Sequence, residues 1–245
     1  MAETNSVKRI WININSWKNS IFRSIDFLLA IFFFPSYFKI IGLFSAPGLH
    51  AVAEKFFLYG IAKGISAEGD VLEIGSYEGA SSLLLALGNK ASRKKAKVWL
   101  IEPFPLPNKE TFINIFTSFG VQENIILINK TSAEAAKEAK VIFRFIFIDG
   151  NHEYEYVRND ISNWGRHLAS GGIIALHNRR YPGVAKAASE LIFNSDRFKV
   201  LGIIAETLYA TKGDFKDQRL ISRFKRLEKT RQKCITFARK IGVSV

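Results

Sequence analysis

The segment Val71-Leu72-Glu73-Ile74-Gly75-Ser76-Tyr77-Glu78-Gly79 constrains the fold more than any other stretch of this chain. A mostly apolar strand runs into a glycine turn, and Ala80-Ser81-Ser82 opens a helix with small residues. Strand, tight turn and helix in that order make the first βα unit of a doubly wound α/β sheet, whose ligands sit beyond the carboxyl ends of the strands. The glycine spacing limits what that ligand is. A dinucleotide turn needs a second glycine two residues after the first, so that the backbone can approach a pyrophosphate; Tyr77 stands there instead. No Gly-Lys-Ser/Thr follows, so a P-loop is excluded too.

Glu73, two residues before the turn, repels phosphate but attracts a cation or ribose hydroxyls. S-adenosylmethionine, a cationic nucleoside without phosphate, meets both conditions. The run E-x-G-x-x-x-G resembles motif I of the class I S-adenosylmethionine-dependent methyltransferases. The candidate contacts to that ligand here are Glu73, Gly75, Ser76, Tyr77 and Gly79.

The stretch from about 66 to 212 alternates regularly. Strands are predicted at Asp70–Ile74, Lys97–Glu102, Asn124–Asn129, Phe143–Asp149, Gly171–His177, Phe198–Ile204 and Thr207–Thr211. Helices are predicted at Ala80–Leu87, Lys109–Phe119, Ala133–Lys140, Glu155–Leu168 and Val184–Asn194. Five strands each followed by a helix, then two strands in succession, predict a Rossmann-like seven-stranded sheet, mostly parallel, whose last strand is antiparallel.

Flanking this domain are an apolar helical extension, residues 1–65, and a basic helical tail, residues 213–245. Phe27 to Phe34 are eight consecutive apolar residues, but Pro35 and Lys39 oppose a membrane span, and no small-x-small cleavage site marks a signal peptide. Three arrangements remain open: two short helices packed on the domain, an in-plane or re-entrant membrane anchor, or a homo-oligomer interface. Of the net charge of +13, residues 212–245 carry eleven Lys/Arg against three Asp/Glu. With Lys18 and Arg23, that tail suits an anionic cytoplasmic leaflet, so the expected location is cytoplasmic, with peripheral membrane contact. A single cysteine, Cys234, excludes an intramolecular disulfide framework, and with no cysteine cluster a structural zinc site is not expected.

Chemistry concentrates at predicted strand ends. Glu102 closes the second strand, where a carboxylate accepts hydrogen bonds from two ribose hydroxyls. Ser132, after the third, suits a helix N-cap. The fourth strand delivers Asp149-Gly150-Asn151-His152, and the fifth delivers His177-Asn178 beside it. Asp149 and His152 then serve either as metal ligand and general base, or as a helix cap and a polar first-turn residue.

Residues 71 to about 211 resemble the methyltransferase branch that includes the sugar O-methyltransferases of macrolide biosynthesis, and more distantly the catechol O-methyltransferases. The residues that carry the likeness are Asp149-Gly150-Asn151-His152-Glu153-Tyr154, then Asp160 and Trp164, then Gly171-Gly172-Ile173-Ile174-Ala175-Leu176-His177-Asn178. The resemblance implies that Asp149 is a Mg²⁺ ligand which also borders the cofactor, that His152 is the base, and that His177 and Asn178 complete the metal environment. It also implies that the junction at Ser132 lines an adenine pocket. The family usually has Asp where Asn178 stands, and losing that carboxylate lowers the expected Mg²⁺ affinity.

The expected activity is O-methylation of a hydroxyl on a sugar, glycan or glycolipid. A nucleic-acid methyltransferase is the second reading, prompted by the basic tail. It is opposed by the lack of an Asp/Asn-Pro-Pro-aromatic turn after the fourth strand and by a tail with few aromatics for base stacking, Phe224 and Phe237 among them. A non-catalytic cofactor-binding or membrane-scaffolding module is the third.

Overall fold

The computed structural model describes residues 51–94, 96–103 and 109–215. The apolar run from Phe27 to Phe44 and the basic tail beyond residue 215 lie outside these residues. The helices and strands are α1 (Val52–Gly64), β1 (Asp70–Ile74), α2 (Ala80–Ala91), β2 (Val98–Ile101), α3 (Lys109–Ser118), β3 (Ile125–Ile128), α4 (Ser132–Glu138), β4 (Phe143–Ile148), α5 (Tyr154–Trp164), β5 (Leu168–Leu176), α6 (Pro182–Ala188), β6 (Phe198–Ile204) and β7 (Thr207–Lys212). They build a seven-stranded sheet of order β3-β2-β1-β4-β5-β7-β6. The pairs β1–β2, β1–β4, β2–β3 and β4–β5 are parallel, while β7 runs antiparallel to both β5 and β6. This is the Rossmann-like seven-stranded sheet that the strand–helix alternation predicts.

The central strands are apolar on both faces because helices cover both. Val71, Leu100, Phe145, Phe147 and Ala175 pack with α1, α2 and α3. Leu72, Ile74, Ile101, Ile146, Ile148, Ile174 and Leu176 pack with α4, α5 and α6. Residues 52–64 are therefore a layer of this fold, although their apolar sequence groups them with the extension. The α1–α2 crossing is close: a Cβ at Gly88 would lie 2.3 Å from the Tyr59 carbonyl oxygen. Arg144 of β4 is buried beneath that crossing and donates to Ala62 O at 3.0 Å and Asn89 Oδ1 at 2.7 Å.

Two of the differences from the expected boundaries have an identifiable physical cause. Leu168 begins β5 rather than ending the preceding helix, because α5 stops at Trp164 and Phe143 N donates to His167 O, drawing the chain back onto the sheet. The N-cap of α4 is Thr131, which accepts from Glu134 N, while Glu134 accepts from Thr131 N in return. Ser132 is the first helical residue and does not cap.

No helix among the described residues is long and apolar enough to cross a membrane.

Candidate active site

Four candidate site residues follow four different strands, and a single hydrogen-bond pattern aligns them. Glu102 N donates to Ile128 O, Gly75 N to Ile101 O, Asp149 N to Ile74 O and His177 N to Ile148 O, all between 2.9 and 3.1 Å. Each is the first residue past its strand, tied to the last carbonyl of a neighbour. The parallel ladder thus delivers them as one row along the carboxyl edge of the sheet.

The turn after β1 is held by carboxylates from both sides. Gly75, Tyr77 and Gly79 have φ of 85°, 42° and 82°. A side chain at Gly75 is excluded, since its Cβ would lie 2.5 Å from Asp149 O. Above the turn, Glu102 Oε2 accepts from Ser76 N at 3.1 Å and Tyr77 N at 3.0 Å. Below it, Glu73 is completely buried and accepts from the hydroxyls of Ser76, at 3.0 Å, and Ser82. Burial pushes the Glu73 carboxyl up to about 7, against the hydrogen bonds from Ser81, Ser82 and Ser76, with the nearby Asp149 charge adding to the rise. Its Oε1 has no hydrogen-bond partner among the described residues. Glu73 therefore shapes the turn from beneath, whereas Tyr77 stands 68% exposed.

Ser132 takes a different place. Its hydroxyl donates to Asp160 Oδ1 and accepts from Trp164 Nε1 at 2.7 Å, joining α4 to α5. Burial raises Asp160 to about 6, while the Ser132 hydrogen bond opposes the rise.

Asp149, His152, His177 and Asn178 do come together. Asp149 Oδ1 lies 2.8 Å from His177 Nδ1 and 3.6 Å from His152 Nε2, and Asn178 Nδ2 lies 3.1 Å from the same His152 nitrogen. Asp149 does not cap α5, whose N-cap is Glu153. Tyr181 sets its ring 4.9 Å from that of His152 and is 54% exposed, so it borders the crevice beside that imidazole.

Glu54, on α1, completes this cluster and went unrecognised in the sequence. Its buried carboxylate faces His177 Nε2 at 3.5 Å. It accepts from Ala51 N at 2.8 Å, Glu206 N at 3.0 Å and Thr207 Oγ1 at 2.8 Å. Burial opposes ionisation, but the bonds from His177, Thr207 and Ala51 win and hold Glu54 below the usual carboxylate range. His177 answers in kind: burial would lower it, yet Asp149 and Glu54 raise it to about 9.

These donors do not fit the expected Mg²⁺ site. A hard divalent cation takes six or more oxygen ligands, largely carboxylate and water. Asp149 is the carboxylate beside His152, both nitrogens of His177 face carboxylates, and Asn178 turns its amide nitrogen to His152. Among the described residues, no three His, Cys, Asp or Glu form a group able to hold a metal.

The family model for the Methyltransferase domain matches residues 72–179. This segment is similar to a methyltransferase domain. It contains the turn after β1 and the Asp149–His152 and His177–Asn178 pairs, whereas Glu54 lies outside it. Three solved structures share the fold at low sequence identity. The O-methyltransferase NovP is 14% identical, with a TM-score of 0.59 over 66% of this chain and 80% of that one. The SAH-bound Podospora anserina methyltransferase PaMTH1 is 17% identical, with 0.57 over 86% and 97%. CalS11, a TDP-rhamnose 3'-O-methyltransferase of calicheamicin biosynthesis, is 17% identical, with 0.54 over 86% and 95%. No curated protein matches the chain.

Proposed function

We propose that the chain is an S-adenosylmethionine-dependent O-methyltransferase whose acceptor is a hydroxyl of a sugar, glycan or glycolipid. The observation that carries this reading is the backbone contact between the Gly75 turn and Asp149, which puts a donor-binding turn directly beside a carboxylate–imidazole pair. When bound, the donor supplies a sulfonium methyl group, which an acceptor oxygen takes as the carbon–sulfur pair leaves with sulfur.

Gly75, Ser76, Tyr77 and Gly79 shape the donor turn, and Glu102 fixes it at the end of β2, where a carboxylate also reaches ribose hydroxyls. Glu73 supports the turn and places a buried carboxyl beneath a cationic ligand. His152 is the base. Its Nε2 receives the amide N–H of Asn178, and an acceptor hydroxyl in that position presents its proton to the same lone pair. The resulting imidazolium proton faces Asp149 Oδ1, which stabilises it. Ser132 acts through the packing of α4 on α5.

The sugar assignment draws support from CalS11, which acts on TDP-rhamnose, and from the apolar extension, which suits a lipid-linked acceptor. Two measurements test the reading. Calorimetry with S-adenosylmethionine is expected to show binding by wild type and none by Gly75→Arg; a folded wild type that does not bind would reject it. Mass spectrometry of glycans and lipids from cells with wild type or His152→Ala is expected to differ by one methyl group on one species. Identical spectra would leave a cofactor-binding module as the better description.

A further inference from the structure

His177 is enclosed at the carboxyl edge of the sheet. It is 4% exposed, with a carboxylate at each ring nitrogen: Asp149 Oδ1 at 2.8 Å from Nδ1 and Glu54 Oε1 at 3.5 Å from Nε2. Neither nitrogen directs a lone pair at an ion in the crevice. Glu54 is itself fixed by Ala51 N, Glu206 N and Thr207 Oγ1, so the ring has one orientation imposed by α1 and by the β6–β7 turn. Asn178, with φ of 51°, adds an amide and no charge, and its nitrogen is directed to His152. The charge of Asp149 is thus already answered from within the protein.

Building on the methyltransferase reading, we propose that His177 takes the place of a divalent cation beside Asp149, so that methyl transfer by this chain requires no metal ion. His177 acts as a positioning residue. It holds Asp149 Oδ1 where the carboxylate faces His152 Nε2, and Glu54 holds His177. The hydroxyl proton still passes to His152, and no step of the transfer needs a Lewis acid. The raised titration of the ring agrees with this arrangement without being required by it.

The test uses the full chain saturated with S-adenosylhomocysteine and titrated with Mn²⁺, read as paramagnetic broadening of imidazole resonances in histidine-labelled protein. Wild type is expected to show no saturable broadening at His152 into the millimolar range typical of weak sites, roughly 1 mM. The double variant E54Q/H177D removes the ring and its outer carboxylate and presents a second oxygen donor to Asp149. It is expected to gain saturable broadening at His152, tighter than wild type by at least tenfold, and D149N is expected to abolish that gain. Separately, H177Q is expected to shift the His152 resonances while its affinity for S-adenosylhomocysteine stays within about threefold, a change that loss of packing alone would not confine to the base. Saturable Mn²⁺ binding by wild type that D149N removes would overturn the proposal. So would a folded E54Q/H177D protein that gains nothing, or unmoved His152 signals in H177Q. If the double variant does not fold, the wild-type and D149N titrations decide alone. Failure to bind S-adenosylhomocysteine would instead count against the methyltransferase reading, which keeps the two failures apart.

Discussion

Glu102, at the end of β2, and Tyr77, in the turn after β1, are joined by a hydrogen bond of 3.0 Å in which the Tyr77 N–H donates to Oε2. Ser76 N donates to the same oxygen. The turn is therefore held in shape before any ligand arrives, by the same carboxylate expected to reach the ribose.

Removing that carboxylate is expected to weaken donor binding through both roles. Hydrogen bonds to a charged group contribute about 1.5–3 kcal/mol each, so Glu102→Ala is expected to lower S-adenosylmethionine affinity by roughly 10- to 100-fold. Glu102→Gln keeps one acceptor oxygen and is expected to fall between the two. Calorimetry on all three proteins checks this, and equal affinities would remove Glu102 from the site.

Gly75→Ala probes the join between the turn and β4. The added methyl meets Asp149 O and the Gly150 Cα, both backbone atoms, at a φ of 85° that favours glycine. A loss of about 1–3 kcal/mol is expected from backbone strain, together with weaker donor binding. Urea unfolding measures the first, and an unchanged midpoint would show that the turn relaxes freely.

Glu73 predicts a pH dependence. The folded protein holds its proton up to about 7, whereas the ordinary value is 4.5. The stability this group contributes is therefore complete below the lower value and is lost as pH rises through the higher one. Glu73→Gln keeps the shape and removes the titration. The melting temperature of the variant minus that of wild type is expected to increase between about pH 5 and about pH 8. A difference that stays flat across this window would mean that Glu73 does not titrate there.

The segment before α1 can be tested without touching the site. Deleting residues 1–45 leaves Glu54 and α1 in place. We expect some wild-type protein to sediment with membranes and the deletion to release it; wild type found wholly in the supernatant of native extracts would reject anchoring.

The strand pattern was legible because central strands here are apolar on both faces and broken by helices. The ends of β1, β4 and β5 then announced Gly75, Asp149, His152, His177 and Asn178. What stayed hidden depends on contacts between distant parts of the chain. Glu54 reads as one acid in an apolar stretch, and its partners lie at positions 177, 206 and 207, which nothing local foretells. Arg144 reads as a polar interruption in β4, yet it reaches across to Ala62 and Asn89. Ser132 looked like a cap because serine caps well; Thr131, with Glu134 three residues on, competes for that position and wins through the reciprocal bond.

The bonds of Glu54 also decide how the chain can be cut. The family model matches from residue 72 to residue 179. An excised piece with those limits would leave His177 facing solvent on one side, strip β5 of its antiparallel neighbour and release the Glu206–Thr207 turn that steadies the whole arrangement. The smallest working unit is wider than the recognisable one, and its edges are marked by a carboxylate on the first helix and by the last hairpin. Transplanting the recognisable segment into a relative would carry His152 and His177 but leave behind the carboxylate and hairpin that hold His177 in place.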